Sequence, residues 1–250
     1  SLERLRKPYK EKKIDKPSGV LTLNDEQQLA VEAVDHAKGF APYVLHGVTG
    51  SGKTEVYLRM MESLFVKKPD AQVLFLVPEI NLTPQLEARI RNHFPDKPMA
   101  SLHSGLANGE RAKAWLAAKE KRIQILVGTR MAIFSDMPNL GLIVVDEEHD
   151  LSYKAGDGIR YSARDLAIKL AQLRQIPVIL GSATPSLETW SRVKNGHYNL
   201  LSLTKRAVPG ASLPTLSVVN PKNKKLIKGL TPEVIDAISE TLQKKEQVII

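Results

Sequence analysis

The sequence contains no cysteine and no apolar run long enough to cross a membrane. Without cysteine the chain can form neither a disulfide nor a thiolate metal site. The N-terminal residues also lack the apolar core of a signal peptide, and the chain shows no internal repeat. We therefore expect a cytoplasmic protein that does not bind or enter a membrane.

The net charge of +9 is distributed unevenly along the chain. Residues 1–16 carry seven Lys and Arg against three acids, a net +4. Residues 205–228 carry six Lys and Arg and no acid, which leaves a net −1 for all remaining residues. Two basic flanks fit either solvated segments or contacts with nucleic-acid phosphates, and the charge alone does not decide between them.

Short apolar runs rich in Val, Ile and Leu alternate with segments of helical character. The apolar runs are 43–46, 73–77, 123–127, 142–145 and 177–180. The helical segments are 54–66, 84–94 (apolar stripe Leu86, Ile90, Phe94) and 110–120 (apolar stripe Ala112, Trp115, Leu116). Apolar runs without interruption are typical of strands buried on both faces of a parallel sheet. The alternation predicts one α/β domain over residues 21–204, with helices on both faces of a mainly parallel sheet.

The two ends of the chain differ from this domain in composition. Residues 1–20 are rich in lysine and proline and are expected to form a basic linker. Residues 205–229 contain three prolines and are expected to be a connector with one strand at Leu216–Val219. The residues Thr231-Pro232-Glu233 predict the start of a helix, and 247–250 predict the start of a strand. We expect residues 230–250 to be the beginning of a second, truncated domain.

The sequence GVTGSGKT at 47–54 matches the G-x-x-x-x-G-K-[ST] pattern of a phosphate-binding loop. It follows a predicted strand and opens a predicted helix, which is the context in which such loops bind phosphate. Lys53 is expected to pair with the β- and γ-phosphates, and the Thr54 hydroxyl to ligate Mg²⁺. The candidate nucleotide-binding residues in this loop are Gly47, Thr49, Gly50, Ser51, Gly52, Lys53 and Thr54.

A second motif, LIVVDEEHD at 142–150, places acids directly after an apolar strand. Asp146 should emerge at the carboxyl edge of the sheet, where open α/β sheets bind their ligands. We expect Asp146 to hold Mg²⁺ together with Thr54, and Glu147 to orient and deprotonate an attacking water. An acidic loop after a strand is common by itself, and the phosphate-binding loop is what makes this interpretation specific.

These two motifs and GSATPS at 181–186 resemble those of the superfamily 2 DExH helicases. Within that superfamily the chain is most similar to the bacterial primosomal replication-restart helicases. Seven blocks in the family's order support this resemblance, which covers residues 21–250. They are GVTGSGKTEVYL, VPEINLTPQ, LHSGLANGER, VGTRMAIF, VVDEEHDLSYK, YSARDLA and GSATPSLET.

The resemblance implies that residues 21–204 form the first RecA-like motor lobe of an ATP-dependent DNA helicase. Such a helicase moves 3′ to 5′ and acts in replication restart and primosome assembly at stalled forks. Its implied ligands are ATP, Mg²⁺, single-stranded DNA and forks, and its implied partners are primosome proteins and single-stranded DNA-binding protein. The family's arginines for phosphoryl transfer belong to a second lobe, and its zinc region lies further along the chain. We therefore expect this chain alone to bind Mg-nucleotide weakly and to hydrolyse it hardly at all.

The resemblance also assigns roles to individual residues that the sequence alone would leave unremarkable. Gln27 corresponds to a glutamine that reads adenine, a task suited to an amide. His149 is assigned to catalysis, and Ser182 and Thr184 to coupling between the nucleotide site and strand movement. The residues that correspond to contacts with the single-stranded DNA backbone are Thr83, Gln85, Thr129 and Arg130.

One segment indicates DNA binding independently of the resemblance. Residues 152–164 interleave the aromatics Tyr153 and Tyr161 with the cations Lys154, Arg160 and Arg164. Aromatic faces can stack on bases while cations hold phosphates. In the family this segment resembles an aromatic-rich loop that couples DNA to ATP hydrolysis, and relatives often have an aromatic residue where this chain has Ile159. A flexible loop packed by two tyrosines is the alternative.

Two other functions remain open. The chain could belong to a P-loop translocase that moves on double-stranded DNA, or to an interaction module that keeps the fold without nucleotide. The sequence has neither the LSGGQ-like segment of transporter ATPases nor the N-K-x-D motif of guanine recognition. Intact Lys53, Thr54, Asp146 and Glu147 argue against a module without nucleotide.

Overall fold

A computed structural model describes residues 22–79, 84–156, 158–205 and 216–249 of this chain. The chain divides into two compact units, Ser1–Pro209 and Gly210–Ile250. The larger unit carries all the strands named below, and the smaller unit carries the last helix. No helix within the described ranges is long and apolar enough to span a membrane.

A single seven-stranded sheet forms the centre of the larger unit. Its strands are β1 (Ala41–Gly47), β2 (Gln72–Leu76), β3 (Met99–Leu102), β4 (Ile125–Gly128), β5 (Leu140–Val145), β6 (Pro177–Ser182) and β7 (Asn199–Leu203). They lie in the order β3-β4-β2-β5-β6-β1-β7, and every neighbouring pair is parallel. The predicted parallel α/β sheet is thus confirmed, and each of the five predicted apolar runs contributes a strand.

Sequence reasoning missed β3 and β7, the two strands at the edges of the sheet. In β3 only four residues pair, and one of them is Ser101, whose hydroxyl donates to Glu87 Oε1 at 2.7 Å. In β7 only Leu203 is buried, so this strand does not require a continuous apolar run. Edge strands have one strand neighbour instead of two, and their sequences are accordingly less apolar.

The helices cover both faces of the sheet. They are α1 (Asp25–Asp35), α2 (Lys53–Lys67), α3 (Pro84–His93), α4 (Asn108–Lys119), α5 (Ala163–Arg174) and α6 (Leu187–Lys194). The smaller unit has a helix of its own, α7 (Pro232–Gln243). Successive side chains of β2 alternate between two hydrophobic clusters: Val73 and Phe75 join one, and Leu74 and Leu76 join the other. The first cluster includes side chains of α1, α2 and α3, and the second includes side chains of α4 and α5.

Two of the predicted helical stripes have different outcomes. On α3 the stripe is confirmed, because Ile90 and Phe94 are buried and Leu86 packs against them. On α4 the stripe is wrong, because the buried residues are Ala114, Ala117 and Ala118 rather than those predicted. Ala112 and Trp115 are exposed and Leu116 is only half-buried. Three alanines allow α4 to approach the sheet closely, and this small-residue face was overlooked in favour of the larger side chains.

The smaller unit contains the predicted helix but not the predicted strands. α7 follows Thr231 as N-cap, with proline in its first turn and Glu233 as the first-turn acid. Leu216–Val219 and residues 247–249 are not strands. A strand needs a partner for its backbone hydrogen bonds, and the described part of this unit offers only the isolated bridge between Ile227 and Leu230.

Candidate nucleotide and nucleic-acid site

Three of the motifs follow three strands that lie side by side. The loop at 47–54 follows β1. The acidic loop (Asp146, Glu147, Glu148 and His149) follows β5, and the residues at 182–186 follow β6, which lies between the other two strands. Because all three strands are parallel, their carboxyl ends share one edge of the sheet. The fold therefore brings the three motifs into one site, at the edge where open α/β sheets bind ligands.

The loop after β1 has the backbone of a phosphate cradle. Gly50 and Gly52 have φ angles of +80° and +85°, in the left-handed region that glycine tolerates best. A Cβ on Gly47 would collide with Ser51 Oγ, so close packing requires glycine there as well. Ser51 is buried, and its hydroxyl has no hydrogen-bond partner within the described residues. α2 begins at Lys53, directly after Gly52, so its free N–H groups and positive dipole end face this loop.

Lys53 joins the first two motifs. Its ammonium group donates to the Gly47 carbonyl at 3.0 Å and lies 3.5 Å from Glu147 Oε1. The Lys53 side chain is 10% exposed, so this cation is held close to the acidic loop and away from bulk water. Thr54, the next residue of α2, is half-buried. The predicted convergence of the glycine loop and the carboxylates at one edge is therefore present in the structure.

Two tyrosine hydroxyls donate hydrogen bonds to Asp146. The Tyr57 hydroxyl donates to Asp146 Oδ1 at 3.0 Å, and the Tyr153 hydroxyl donates to the Asp146 carbonyl oxygen at 2.6 Å. Burial and the neighbouring charge of Glu147 raise the pKa of Asp146 from 3.8 to about 6, although the Tyr57 hydrogen bond and Lys53 act in the opposite direction. A carboxylate in such a position gains from a nearby cation.

Glu147 lies between the lysine and the histidine of the site. Its φ of +47° is in the left-handed region, which is unfavourable for a side chain of this size. Its Oε1 faces Lys53, and its Oε2 lies 3.7 Å from His149 Nδ1. The Glu147 carboxylate thus lies between Lys53 of the phosphate-binding loop and His149 of the acidic loop.

His149 connects the acidic loop to the end of β6. A hydrogen bond of 2.7 Å joins Ser182 Oγ and His149 Nδ1, and the Thr184 N–H donates to the same Ser182 oxygen at 2.9 Å. Of the two residues predicted to couple the nucleotide site to strand movement, Ser182 contacts the predicted catalytic histidine, and Thr184 contacts Ser182. A change in the acidic loop would reach the 182–184 segment through these two bonds.

Gln27 reaches the phosphate loop from α1. Its side-chain amide donates to the Ser51 carbonyl at 2.9 Å, and its Oε1 accepts from the Asn24 N–H at 2.9 Å. The Asn24 side chain caps α1 in return, accepting from the Gln27 N–H at 3.0 Å. Gln27 is 4% exposed, and these contacts use two of the four hydrogen-bonding positions of its side-chain amide.

Glu148 is a buried acid that sequence reasoning did not single out. Its Oε1 accepts from the Ser186 N–H at 2.7 Å, and its Oε2 accepts from Thr189 Oγ1 at 2.8 Å and from Arg164 Nη1 at 3.1 Å. Its side chain is fully buried, so this carboxylate depends on these partners. Glu148 thereby fixes the acidic loop to the first residues of α5 and α6. The only signal in the sequence was a third acid inside a motif already assigned to other roles.

Two residues of the segment 152–164 do not have the contacts predicted for them. Tyr153 is 1% exposed and bonded to the Asp146 carbonyl, so its ring cannot stack on a base. Arg164 is also buried, pairs with Glu148 and donates from Nε to Asp165 Oδ1 at 2.8 Å. Both were predicted to bind DNA because one is aromatic and the other cationic. Both instead contact residues of the acidic loop.

The remaining predicted residues of this segment face outward. Lys154 and Arg160 are exposed, and Tyr161 is half-buried with its ring 4.9 Å from that of Phe134. Arg130 donates from Nη1 to the carbonyl of Lys154 at 3.3 Å and reaches the carbonyl of Ser152 at 3.5 Å. Arg130 thus anchors the start of this segment to the turn that follows β4.

Of the other predicted DNA contacts, the structure describes Gln85 and Thr129. Thr83 lies outside the described residues. Gln85 is exposed in the first turn of α3. Thr129 is 2% exposed, and its hydroxyl has no hydrogen-bond partner in the part of the chain that the structure describes.

The donor set fits a magnesium nucleotide. The structure places a glycine cradle, a helix N-terminus and a lysine together, which suits a polyphosphate, and a carboxylate of raised pKa beside them, which suits a cation. No group of three or more His, Asp or Glu residues in the described ranges could hold a metal ion by itself. Magnesium needs no such group, because it is usually bound through one or two protein ligands together with phosphate oxygens and water.

Comparison with known proteins identifies the family to which the chain is similar. A family model described as DEAD/DEAH box helicase matches residues 24–193. The replication restart protein PriA of Haemophilus influenzae is 45% identical over 230 residues, which cover 92% of this chain and 31% of that protein. The replication restart protein PriA of Bacillus subtilis is 42% identical over 255 residues, covering 98% of this chain and 31% of that protein. The chain thus spans about a third of the length of these relatives.

Solved structures share the fold at low sequence identity. The DUF1998 helicase MrfA has a TM-score of 0.61 and 20% identity, covering 92% of this chain and 36% of that chain. RecG bound to a three-way DNA junction has a TM-score of 0.56 and 22% identity, covering 76% of this chain and 25% of that chain. These structures share the α/β fold of the domain.

Proposed function

This chain belongs to the DEAD/DEAH box helicase family, and from this premise we propose that it is the first motor lobe of an ATP-dependent DNA helicase. The observation that carries the proposal is the meeting of three motifs at one sheet edge, where Lys53 lies 3.5 Å from Glu147 and Ser182 contacts His149. An interaction module without nucleotide has no need to hold these groups together.

Each residue of the edge has a chemical task in this proposal. The loop amides and Lys53 bind the β- and γ-phosphates. Thr54 and Asp146 hold Mg²⁺, which supplies neutralising charge to the phosphate oxygens when bound. Glu147, already turned toward Lys53, positions a water molecule and takes its proton. Gln27 offers its remaining amide proton and lone pair to adenine.

The nucleic-acid side of the proposal rests on the segments that surround this site. Lys154 and Arg160 are exposed and Arg130 and Tyr161 are half-buried beside the acidic loop, with Gln85 and Thr83 proposed as further contacts. Thr129, like Tyr153, is buried and is not among them. His149, Ser182 and Thr184 transmit changes at the nucleotide to this surface. Similarity to the replication restart proteins supports a role in replication restart. Primosome proteins and single-stranded DNA-binding protein remain partners predicted from the sequence resemblance. A cytoplasmic location and a zinc region elsewhere in the full-length protein remain predictions of the same resemblance.

The test uses the protein at its full encoded length. Strand displacement should require ATP and should proceed on a duplex with a 3′ single-stranded tail but not on one with a 5′ tail. The Lys53→Ala variant should lose it, and the Lys169→Ala variant, which removes an exposed lysine on α5, should keep it. Displacement of a triplex strand without separation of a duplex would indicate a double-stranded DNA translocase instead.

We also propose that this chain alone hydrolyses ATP slowly. Arginines supplied in phosphoryl-transfer enzymes are worth about 10³–10⁵ in rate, and the resemblance places them in a second lobe. Steady-state phosphate release by the 250-residue chain should therefore be at least about a thousandfold below that of the full encoded length with DNA. Equal DNA-stimulated rates would contradict this part of the proposal.

A further inference from the structure

An aromatic cluster lies beside the proposed nucleic-acid contacts, and nothing in the proposed function uses most of it. It consists of Trp115 on α4, Phe134 at the end of the 3-10 turn 130–134, and Tyr161. The Phe134 ring meets the Tyr161 ring edge to face, with centroids 4.9 Å apart and an interplanar angle of 74°. The Trp115 indole N–H donates to the Phe134 carbonyl at 3.3 Å.

The rings of this cluster are open to solvent in a way that core packing does not require. Phe134 is 58% exposed and Trp115 is 38% exposed. Every other Phe or Trp side chain in the described ranges is buried or half-buried. The two exposed aromatics are joined by the hydrogen bond from the Trp115 indole to the Phe134 backbone carbonyl, and exposed apolar surface of this kind marks an interaction site.

Cations lie on the helix that carries Trp115 and in the turn that carries Phe134. Along α4, Arg111 precedes Trp115 by one helical turn and Lys119 follows it by one turn. The Lys119 ammonium lies 5.3 Å from the centre of the Trp115 ring and 3.9 Å from Asp136, the acid nearest to it. In the turn that carries Phe134, Arg130 donates to the carbonyl of Lys154 at 3.3 Å. Aromatic faces bordered by cations match the alternation of bases and phosphates in a nucleic-acid strand better than they match a neutral protein surface.

The cluster is also held rigidly, which lowers the entropic cost of stacking. The turn that carries Phe134 is closed by hydrogen bonds from the Ala132 N–H to the Thr129 carbonyl at 2.8 Å and from the Ser135 N–H to the Ala132 carbonyl at 3.1 Å. Trp115 fixes the Phe134 backbone from α4. A preorganised ring loses little freedom when a base stacks on it.

We propose that Trp115, Phe134 and Tyr161 form a stacking platform for the bases of single-stranded nucleic acid. The platform rests on the proposed function and extends it, because it adds base contacts from α4 and the 130–134 turn to backbone contacts near Arg130. Phe134 is the central contact, and Arg111 and Lys119 hold the flanking phosphates.

The chain carries its own reporter for this proposal, since it contains two tryptophans, Trp115 and Trp190. In a Trp190→Phe background, the fluorescence of Trp115 should be quenched by a single-stranded oligodeoxythymidylate. An abasic oligonucleotide of the same length has the phosphates without the bases, and it should bind more weakly and leave the fluorescence unchanged.

Substitution of Phe134 provides the second measurement. Phe134→Ala should weaken oligodeoxythymidylate binding about tenfold in fluorescence anisotropy, because one stacked base is worth about 1–3 kcal/mol. It should leave abasic binding unchanged. The hydrogen bond from Trp115 survives in this variant because it uses the backbone carbonyl, and Phe134→Tyr should retain the wild-type affinity. The control Leu173→Ala removes another exposed apolar side chain and should change nothing.

The outcomes separate this proposal from the proposed function. If the oligonucleotide binds but Trp115 fluorescence and the Phe134→Ala affinity do not change, the platform is overturned and the exposed rings belong to a protein partner. If neither oligonucleotide binds while MgADP still does, the platform and the DNA contacts fall together and the nucleotide site stands.

Discussion

Burial and the neighbouring charge of Glu147 raise the pKa of Asp146 to about 6, and the hydrogen bond from the Tyr57 hydroxyl offsets only part of this rise. The folded protein therefore binds this proton more tightly than the unfolded chain does. The free energy of unfolding should fall as the pH rises from about 4 to about 6, and it should stay at the lower value above that. A shift of about two pKa units corresponds to at most about 3 kcal/mol.

The Asp146→Asn variant isolates this effect. Without nucleotide at pH 8 it should be more stable than the wild type by up to about 3 kcal/mol, since the amide carries no charge to desolvate. The difference should shrink at pH 5, and urea unfolding at both pH values measures it. The control Asp136→Asn alters a carboxylate that is 42% exposed and should not be more stable than the wild type at pH 8. A wild type that is the more stable protein at pH 8 would contradict the burial of this charge.

Gly181 depends on Tyr57 in a way that a substitution can test. A Cβ at Gly181 would overlap the Tyr57 hydroxyl and lie 2.8 Å from its ring carbon Cζ. Gly181→Ala should therefore cost about 1–3 kcal/mol of stability through overpacking. Adding Tyr57→Phe should recover part of this loss, although Tyr57→Phe alone loses the hydrogen bond to Asp146. Thermal unfolding of the two single variants and the double variant gives the coupling, and strict additivity would show that the clash is absent.

The buried pair of Glu148 and Arg164 joins the acidic loop to the first residues of α5, and Glu148 also binds the first residues of α6. Arg164→Met would leave Glu148 buried beside Ser186 and Thr189 without its cation, and this should cost about 3–5 kcal/mol. Replacing both members, Glu148→Leu with Arg164→Met, should cost less than the sum of the two single changes. Arg174→Met breaks only a loose exposed pair with Asp136 at 3.9 Å and should cost under about 1 kcal/mol. Urea unfolding compares the four variants, and equal losses for Arg164 and Arg174 would contradict the importance of the buried pair.

Individual elements were predictable where their residues alone decide them. Continuous apolar runs predicted β1, β2, β4, β5 and β6, because central strands bury both faces. The edge strands β3 and β7 were not predicted, because an edge strand tolerates a serine or a few exposed residues and therefore has no continuous apolar run. The buried face of α4 escaped because three alanines pack there, and small residues give a weak pattern of hydrophobicity.

At the scale of the whole molecule, the parallel sheet determines where motifs that are distant in sequence lie relative to one another. Motifs that directly follow strands must lie at the same edge, so the meeting of Lys53 with the acids at 146–147 could be expected from sequence. The supporting contacts could not, because Tyr57, Tyr153 and Arg164 reach the site from other elements by packing. Sequence character alone assigned Tyr153 and Arg164 to DNA, and their burial assigns them to the acidic loop.

The central claim is that one magnesium nucleotide binds where the glycine loop and the acidic loop meet, and titration calorimetry of MgADP tests it most directly. The wild-type chain should bind one MgADP per molecule. Lys53→Ala should weaken that binding at least tenfold, since a charge-assisted hydrogen bond to phosphate is worth about 1.5–3 kcal/mol. The control Lys169→Ala should match the wild type. Equal binding by wild type and Lys53→Ala, or no binding by the wild type, would contradict the account.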